Sequence, residues 1–159
     1  MKWSTEKMQD QTGKIVIVTG SNTGIGFQMA EALSTKGATV ILACRNMEKA
    51  EAAKSRMLSK NPSASLIPVQ LDLADLSNVK TFSEKIASTQ KRIDILINNA
   101  GVMIPPKSTT KDGFELQIGT NHFGHFALTA HLLPLIEKSD TPRIVTVSSI
   151  VHNVGKIDF

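Results

Sequence analysis

Tyrosine is missing from the whole of this 159-residue sequence, and cysteine and tryptophan occur once each. With Cys44 alone, no internal disulfide can form, and a reducing compartment, the cytoplasm, is the simple expectation. Six phenylalanines supply nearly all the aromatic content, so the core has to be assembled mainly from Ile, Leu, Val, Met and Ala. No apolar run approaches the roughly 20 residues of a membrane-spanning helix. The opening MKWSTEKMQDQTGK is polar and lacks the apolar region of a secretory signal. Neither sign of charge is blocked. The net charge of +4 comes from scattered lysines and arginines, which read as solvated helix faces and not as a nucleic-acid surface. At 41% hydrophobic and 20% charged residues the chain is rich enough in apolar groups to pack a core, and its length suits a single domain over 1–159.

What is present is an alternation of two periods. KIVIVT (14–19), ATVILAC (38–44), SLIPVQLDL (65–73), IDILINNAG (93–101) and RIVTVSS (143–149) read as buried strands. Residues 25–36, 47–60, about 76–89 and 112–137 carry helical spacing between them. Gly37 suits the end of the first helix, Asn46 the start of the second, and Asp75 or Ser77 the start of the third. Pro68 fits an edge strand, and Pro134 predicts a bend or break in the long fourth helix. Four strand–helix repeats followed by a strand predict an α/β fold, a doubly wound parallel sheet of Rossmann type with helices on both faces.

Three glycines crowd the end of the first strand in IVIVTGSNTGIG (15–26). In an open parallel sheet, ligands sit beyond the carboxyl ends of the strands. Gly20 permits a tight turn there, while Gly24 and Gly26 remove side chains that would obstruct a pyrophosphate or the packing of helix on strand. The helix that follows offers free N–H groups and a partial positive charge to phosphates. The spacing is Gly-x3-Gly-x-Gly with no Gly-Lys-Ser/Thr, which removes the P-loop alternative. The candidate phosphate-binding set is Gly20, Ser21, Asn22, Gly24, Ile25 and Gly26. A carboxylate about twenty residues further on would hold the ribose 2′-hydroxyl of NAD, and an arginine would accommodate the 2′-phosphate of NADP. The second strand ends LACRNM, with Cys44 at the acid's position and Arg45 beside it, so NADP(H) is favoured over NAD(H). Asn46 either adds a neutral contact or serves only as a helix cap.

TGSNTGIG (19–26), LDL (71–73), NNAG (98–101), TNHFGHF (120–126) and RIVTVSS (143–149), in that order, resemble the short-chain dehydrogenase/reductase family, with NHFGHF and SSIVH similar to its retinol-dehydrogenase-like branch. The resemblance runs from about residue 12 to the end. It implies that Asp72 and the Leu73 N–H face the adenine, and that Asn98, Ala100 and Gly101 shape the ribose and nicotinamide side. It also implies hydride transfer between the coenzyme and a small carbonyl or alcohol substrate. Asn99 reads equally well as a structural amide tying neighbouring strands.

The family's chemistry uses an asparagine, a serine, a tyrosine acid/base and a lysine. Asn121 and Ser149 match the first two. The alternatives are a locally bonded helix amide for Asn121 and a turn-capping hydroxyl for Ser149. The Tyr-x3-Lys helix is expected about a dozen residues beyond Ser149, past Phe159. The expectation is therefore a cofactor-binding portion of the fold, incomplete on its C-terminal side, inactive or weakly active alone. The fifth strand is expected to show an open apolar edge and the long helix an exposed apolar patch. The alternative is a non-enzymatic nucleotide- or partner-binding module. A homo-oligomer is compatible with the sequence and not required by it.

Overall fold

The computed structural model describes residues 4–155. The first three residues of the polar N-terminal stretch and the last four of the chain lie outside the described residues. Five strands, β1 (Ile15–Thr19), β2 (Thr39–Cys44), β3 (Ser65–Gln70), β4 (Ile95–Asn98) and β5 (Arg143–Thr146), form one sheet in the order β3-β2-β1-β4-β5. Every pairing is parallel. The expected doubly wound architecture is the one observed.

The alternation of side chains along each strand divides the core in two. Val16, Val18, Val40, Leu42 and Ile97 pack under α1 (Gly24–Thr35) and α2 (Met47–Lys60) through Phe27, Ala30, Leu33, Ala53 and Met57. Ile17, Ile41, Ala43 and Leu96 face the opposite way. They meet Val79, Phe82 and Ile86 of α3 (Leu76–Thr89) and Leu128, Leu132 and Leu135 of the long helix. The central strands are buried on both faces, which is why they read as unbroken apolar runs. Two of the helices start as the sequence predicts. Asn46 Oδ1 accepts the Lys49 N–H, and Asp75 Oδ1 accepts the Ser77 and Asn78 N–H groups. Pro68 sits on β3, an edge strand, where its missing donor is tolerated.

Several boundaries differ from expectation. β3, β4 and β5 stop at Gln70, Asn98 and Thr146, so LDL, the end of NNAG and the serines of TVSS are loop, not strand. The long helix begins at 116 and not at 112, because Thr109 and Glu115 pair across a turn in which Thr110 N–H bonds to Phe114 O. Glu115 then caps the helix by accepting the Gln117 and Ile118 N–H groups. The helix has three parts: α4 (Leu116–Ile118), a π-helical turn (Gly119–Phe123) and α5 (Gly124–Ile136). α5 runs through Pro134 to Ile136, so the proline marks its last turn and not a break.

One buried carboxylate ties the far end of the sheet together. Asp94 accepts hydrogen bonds from the Ile15 N–H (2.8 Å), the Ser139 hydroxyl (2.6 Å) and Arg92 Nε (2.9 Å). Burial alone would raise this carboxyl's pKa; the three donors outweigh it and hold the group below the usual carboxylate range. β5 forms the other edge. All four of its residues are exposed, and Ile144 and Val145 remain 44% accessible. On the long helix Phe126 is 70% and Leu133 41% exposed. Among the described residues no helix is long and apolar enough to cross a membrane.

Candidate functional site

A cleft of about 400 Å³ opens beyond the carboxyl ends of the central strands. Its walls come from six segments. The glycine turn contributes Gly20, Asn22, Thr23, Ile25 and Gly26; the end of β2 contributes Ala43 and Arg45; the β3–α3 loop contributes Leu71, Asp72 and Leu73. The β4 loop adds Asn99, Ala100, Gly101 and Val102, and Thr120 and Val147 complete the lining.

The glycine turn is tight because the protein's own backbone fills it. Gly20 lies at φ +65°, and a Cβ there would stand 2.9 Å from Ala100 Cα. A Cβ on Gly26 would stand 2.5 Å from both Gly20 O and Asn99 Nδ2. These two glycines therefore let α1 and the β4 loop close on the end of β1. Gly24, also at positive φ, has nothing within 4 Å of a built Cβ. Thr23 begins α1 without a side-chain cap, and the first turn carries no acid. The first bond of the helix is Phe27 N–H to Thr23 O, which leaves the earlier N–H groups without a partner inside it. These groups aim a partial positive charge at the cleft. Thr120 adds a buried hydroxyl oxygen that has no partner among the described residues. Uncapped N–H groups, an unpartnered hydroxyl and an arginine fit a phosphate-bearing nucleotide.

Beneath the cleft, the Thr19 hydroxyl gathers the β4 loop. It accepts the N–H groups of Asn99 and Ala100, each at 2.9 Å, while Asn99 Nδ2 donates to Thr19 O at 2.8 Å. Asn99 thus has the strand-tying role expected as one of its two readings. Asn121 works from the other side. Its Oδ1 accepts the Val102 N–H and its Nδ2 donates to Val102 O, both at 2.9 Å. The relay asparagine of the sequence reading therefore stands directly behind Gly101, where a Cβ would lie 3.3 Å from its Oδ1.

Five of the expected site residues lie elsewhere. Ser21 is fully buried, with its hydroxyl 3.4 Å from Cys44 Sγ. Burial raises the Cys44 thiol, and the side chain does not face the cleft. Gly24 borders a separate apolar groove of about 740 Å³ beside α1, floored by Ile95, Ile97 and Val145. Asn46 is occupied as the α2 cap. Asn98 follows the parity of Leu96 and points under α5, where its Nδ2 donates to Thr129 Oγ1 and its Oδ1 lacks a partner among the described residues. Ser149 caps a 3-10 turn (Ile150–Asn153) by accepting the Val151 N–H at 3.3 Å and does not line the cleft. The motifs do not single out Thr19, Thr120 and His125 as site residues. For Thr19 the signal was available, since it shares the parity of Ile17 and so had to face the long helix.

With this geometry, the matches to known proteins fall into place. The family model for short chain dehydrogenases matches residues 14–159, and the chain belongs to that family. It is 50% identical over 147 residues to retinol dehydrogenase 13 of Homo sapiens, and 45% identical to retinol dehydrogenase 12 of Mus musculus. These alignments take in 92% of this chain but only 44% and 46% of those relatives, so it spans less than half their length. A Mycobacterium paratuberculosis protein of solved structure superposes with a TM-score of 0.84 at 40% identity, over 99% of this chain and 54% of that one. A short chain dehydrogenase from Shigella flexneri, solved with NADP, gives 0.80 at 31% identity over 94% and 64%.

Proposed function

We propose that the chain binds NADP(H) and supplies the coenzyme-holding layer of an oxidoreductase that interconverts a small carbonyl compound and its alcohol. The observation that carries this reading is the cleft wall. Arg45 lines it, and Cys44 occupies the place of an acid but is turned inward against Ser21. A guanidinium at that point suits a 2′-phosphate, and no carboxylate is there to claim a bare ribose. The Shigella flexneri relative solved with NADP and an Escherichia coli one solved with NADPH support the same choice.

In this arrangement the turn 20–26 and the first N–H groups of α1 take the pyrophosphate. Asp72 and Leu73 take the adenine, with Asp72 Oδ1 also accepting the Ala74 N–H. Ala100 and Gly101 border the ribose and nicotinamide. The bound coenzyme supplies hydride chemistry; Asn121 holds the loop beneath it. The chain has no tyrosine, so it brings no phenolic acid/base of its own, and loss of a general acid/base costs about 10²–10⁴ in rate. The exposed β5 favours, as a second reading, a nucleotide-binding module that docks on another chain. The single cysteine suits the cytoplasm or another reducing compartment.

Fluorescence titration of the chain with NADPH and NADH, beside a carbonyl-reduction assay, tests this. Micromolar NADPH binding with NADH at least tenfold weaker is expected. Equal affinity for both removes the arginine argument; no binding of either removes the reading. Binding without any turnover favours the module.

A further inference from the structure

His125 is only 5% exposed, held between the cleft loop and the π-helical turn, although nothing in the proposed chemistry uses it. Its Nδ1 lies 2.8 Å from Asn121 O and its Nε2 lies 2.9 Å from Thr19 Oγ1. A carbonyl oxygen only accepts, so Nδ1 carries the proton. In the neutral ring Nε2 is then an acceptor, and Thr19 donates its hydroxyl proton to it. Thr19 Oγ1 meanwhile accepts the Asn99 and Ala100 N–H groups. The hydroxyl is saturated: one proton given, two lone pairs filled.

We infer that His125 is the positioning residue of the cleft, whose neutral ring holds the 98–101 loop to β1 and the Asn121 turn to both, and whose protonation unfastens that loop. The reason is a count of lone pairs. A protonated ring presents Nε2–H to Thr19 Oγ1, which would then face three N–H donors with two lone pairs. Thr19 can turn its proton to Ile97 O, 3.3 Å away, but one of the Asn99 and Ala100 amides must still let go. The Ala100 backbone is what closes on Gly20, so the displaced loop opens the cleft at its glycine turn.

Among the described residues the His125 ring bonds only to Thr19 and Asn121, and to no charged side chain. β4 and β5 face this region with Asn98, Ile144 and Thr146, α5 with Phe126 and Thr129, and the π-helical turn with the exposed imidazole of His122, the other titratable group on that wall. The β3–α3 loop reaches α5 through Leu73 against Gly124, and its Asp72 carboxylate is engaged with Ala74. Burial also disfavours the charged ring, against the pull of the Asn121 carbonyl, so the neutral form holds at neutral pH.

The inference rests on the reading that this cleft takes NADPH, and the test keeps the two apart. The ¹⁵N-labelled chain is titrated from pH 8 to pH 5, following the His125 ring nitrogens and the Asn99 and Ala100 amides by NMR. NADPH affinity is measured over the same range for the chain and for His125→Gln, which keeps a donor and an acceptor but cannot titrate. The expected result is an Nδ1–H tautomer at pH 8, both amides shifting and losing protection relative to their intrinsic exchange rates with the ring's own midpoint, and NADPH affinity falling about tenfold across it, the loss of about one hydrogen bond. In His125→Gln that step is gone, leaving the coenzyme's own phosphate titration. An Nε2–H tautomer, a ring that does not titrate above pH 5, amides indifferent to it, or a variant with the same step overturns the inference. Amides that follow the ring without NADPH binding at any pH sustain the clamp and refute the coenzyme reading.

Discussion

Gly26→Ala asks whether the cleft is set by close approach of backbone or merely by the flexibility of glycine. The added methyl would lie 2.5 Å from Gly20 O and from Asn99 Nδ2, where real contacts begin beyond 3.0 Å. Something must therefore move by about 0.5 Å. The Asn99 amide can swing aside only by giving up its bond to Thr19 O, worth about 1 kcal/mol. Gly20 O is main chain in a left-handed turn wedged against Ala100, and crowding of that kind costs about 1–3 kcal/mol. Opposing both, alanine is favoured over glycine inside a helix by about 1 kcal/mol. The balance is a loss of about 2 kcal/mol, a fall in Tm of about 4–8 °C for a domain of this size, and NADPH affinity down at least tenfold as the phosphate-facing N–H groups shift. Gly24→Ala is the control. Its methyl meets nothing, so its cost is only that of φ +57°, about 1–2 kcal/mol, with Asn99 and Gly20 undisturbed. Thermal melts followed by circular dichroism and NADPH titration decide the matter. A Gly26→Ala chain as stable as the parent, with unchanged affinity, would refute the claim that backbone crowding defines this cleft.

Arg45→Glu should weaken NADPH about 10–100-fold, the loss of charge-assisted bonds to a phosphate, while leaving NADH binding equal or better; paired fluorescence titrations read this directly. Acid stability should show two limbs, a histidine one and a carboxylate one that Asp75 shares with Asp94, Asp10 and Glu115, all held below their ordinary values. The hydrogen bond from Lys111 at 2.7 Å, with that from Ser77, lowers the Asp75 carboxyl from 3.8 to about 2. Its contribution is complete above about pH 4 and is lost as pH falls from 3.8 through about 2. Because Lys111 is largely solvent-exposed, the Asp75 share is small and fades in high salt; Asp75→Asn removes that share and leaves the share of the buried Asp94. The His125 ring is lowered from 6.5 by burial, so the unfolded chain takes up its proton first and stability declines as pH drops below about 6.5; melts from pH 8 to pH 2 with and without His125→Gln separate the limbs. Ile144→Lys, on the open β5 edge, should reduce self-association in light scattering with a change in Tm of no more than a few degrees.

The fold was legible because the strongest signals in the sequence are those that tertiary structure does not override. VIV of β1 and VILA of β2 are apolar at both parities, which only a strand covered on two faces requires, and Gly37, Asn46 and Asp75 bound helices by local chemistry. The start of the long helix was misplaced because Phe114 and Leu116 keep apolar spacing through a turn. What stops the helix there is the Thr109–Glu115 pairing, a contact between residues that only the folded loop brings together.

Most of the candidate residues read from the motifs line one cleft, and those that do not are turned away for one physical reason. A motif read along the chain says which residues are near a ligand, whereas the pleat decides which of two neighbours faces it. In β4, which runs into NNAG, Leu96 and Asn98 share one face of the sheet and Ile95 and Ile97 the other, so Asn98 goes under α5 and Asn99, past the strand's end, reaches the cleft. The same rule takes Cys44, on the face of Val40 and Leu42, down to Ser21 and leaves Arg45 to line the cleft. Parity also explains the omission that matters most. Thr19 was read as the last residue of a buried strand, but its face is that of Ile17, and the group awaiting it there is the imidazole of His125, 106 residues on. Thr19 opens TGSNTGIG and His125 lies within TNHFGHF, yet neither motif tells their role: they bond to each other and to backbone groups, and any sequence supplies those.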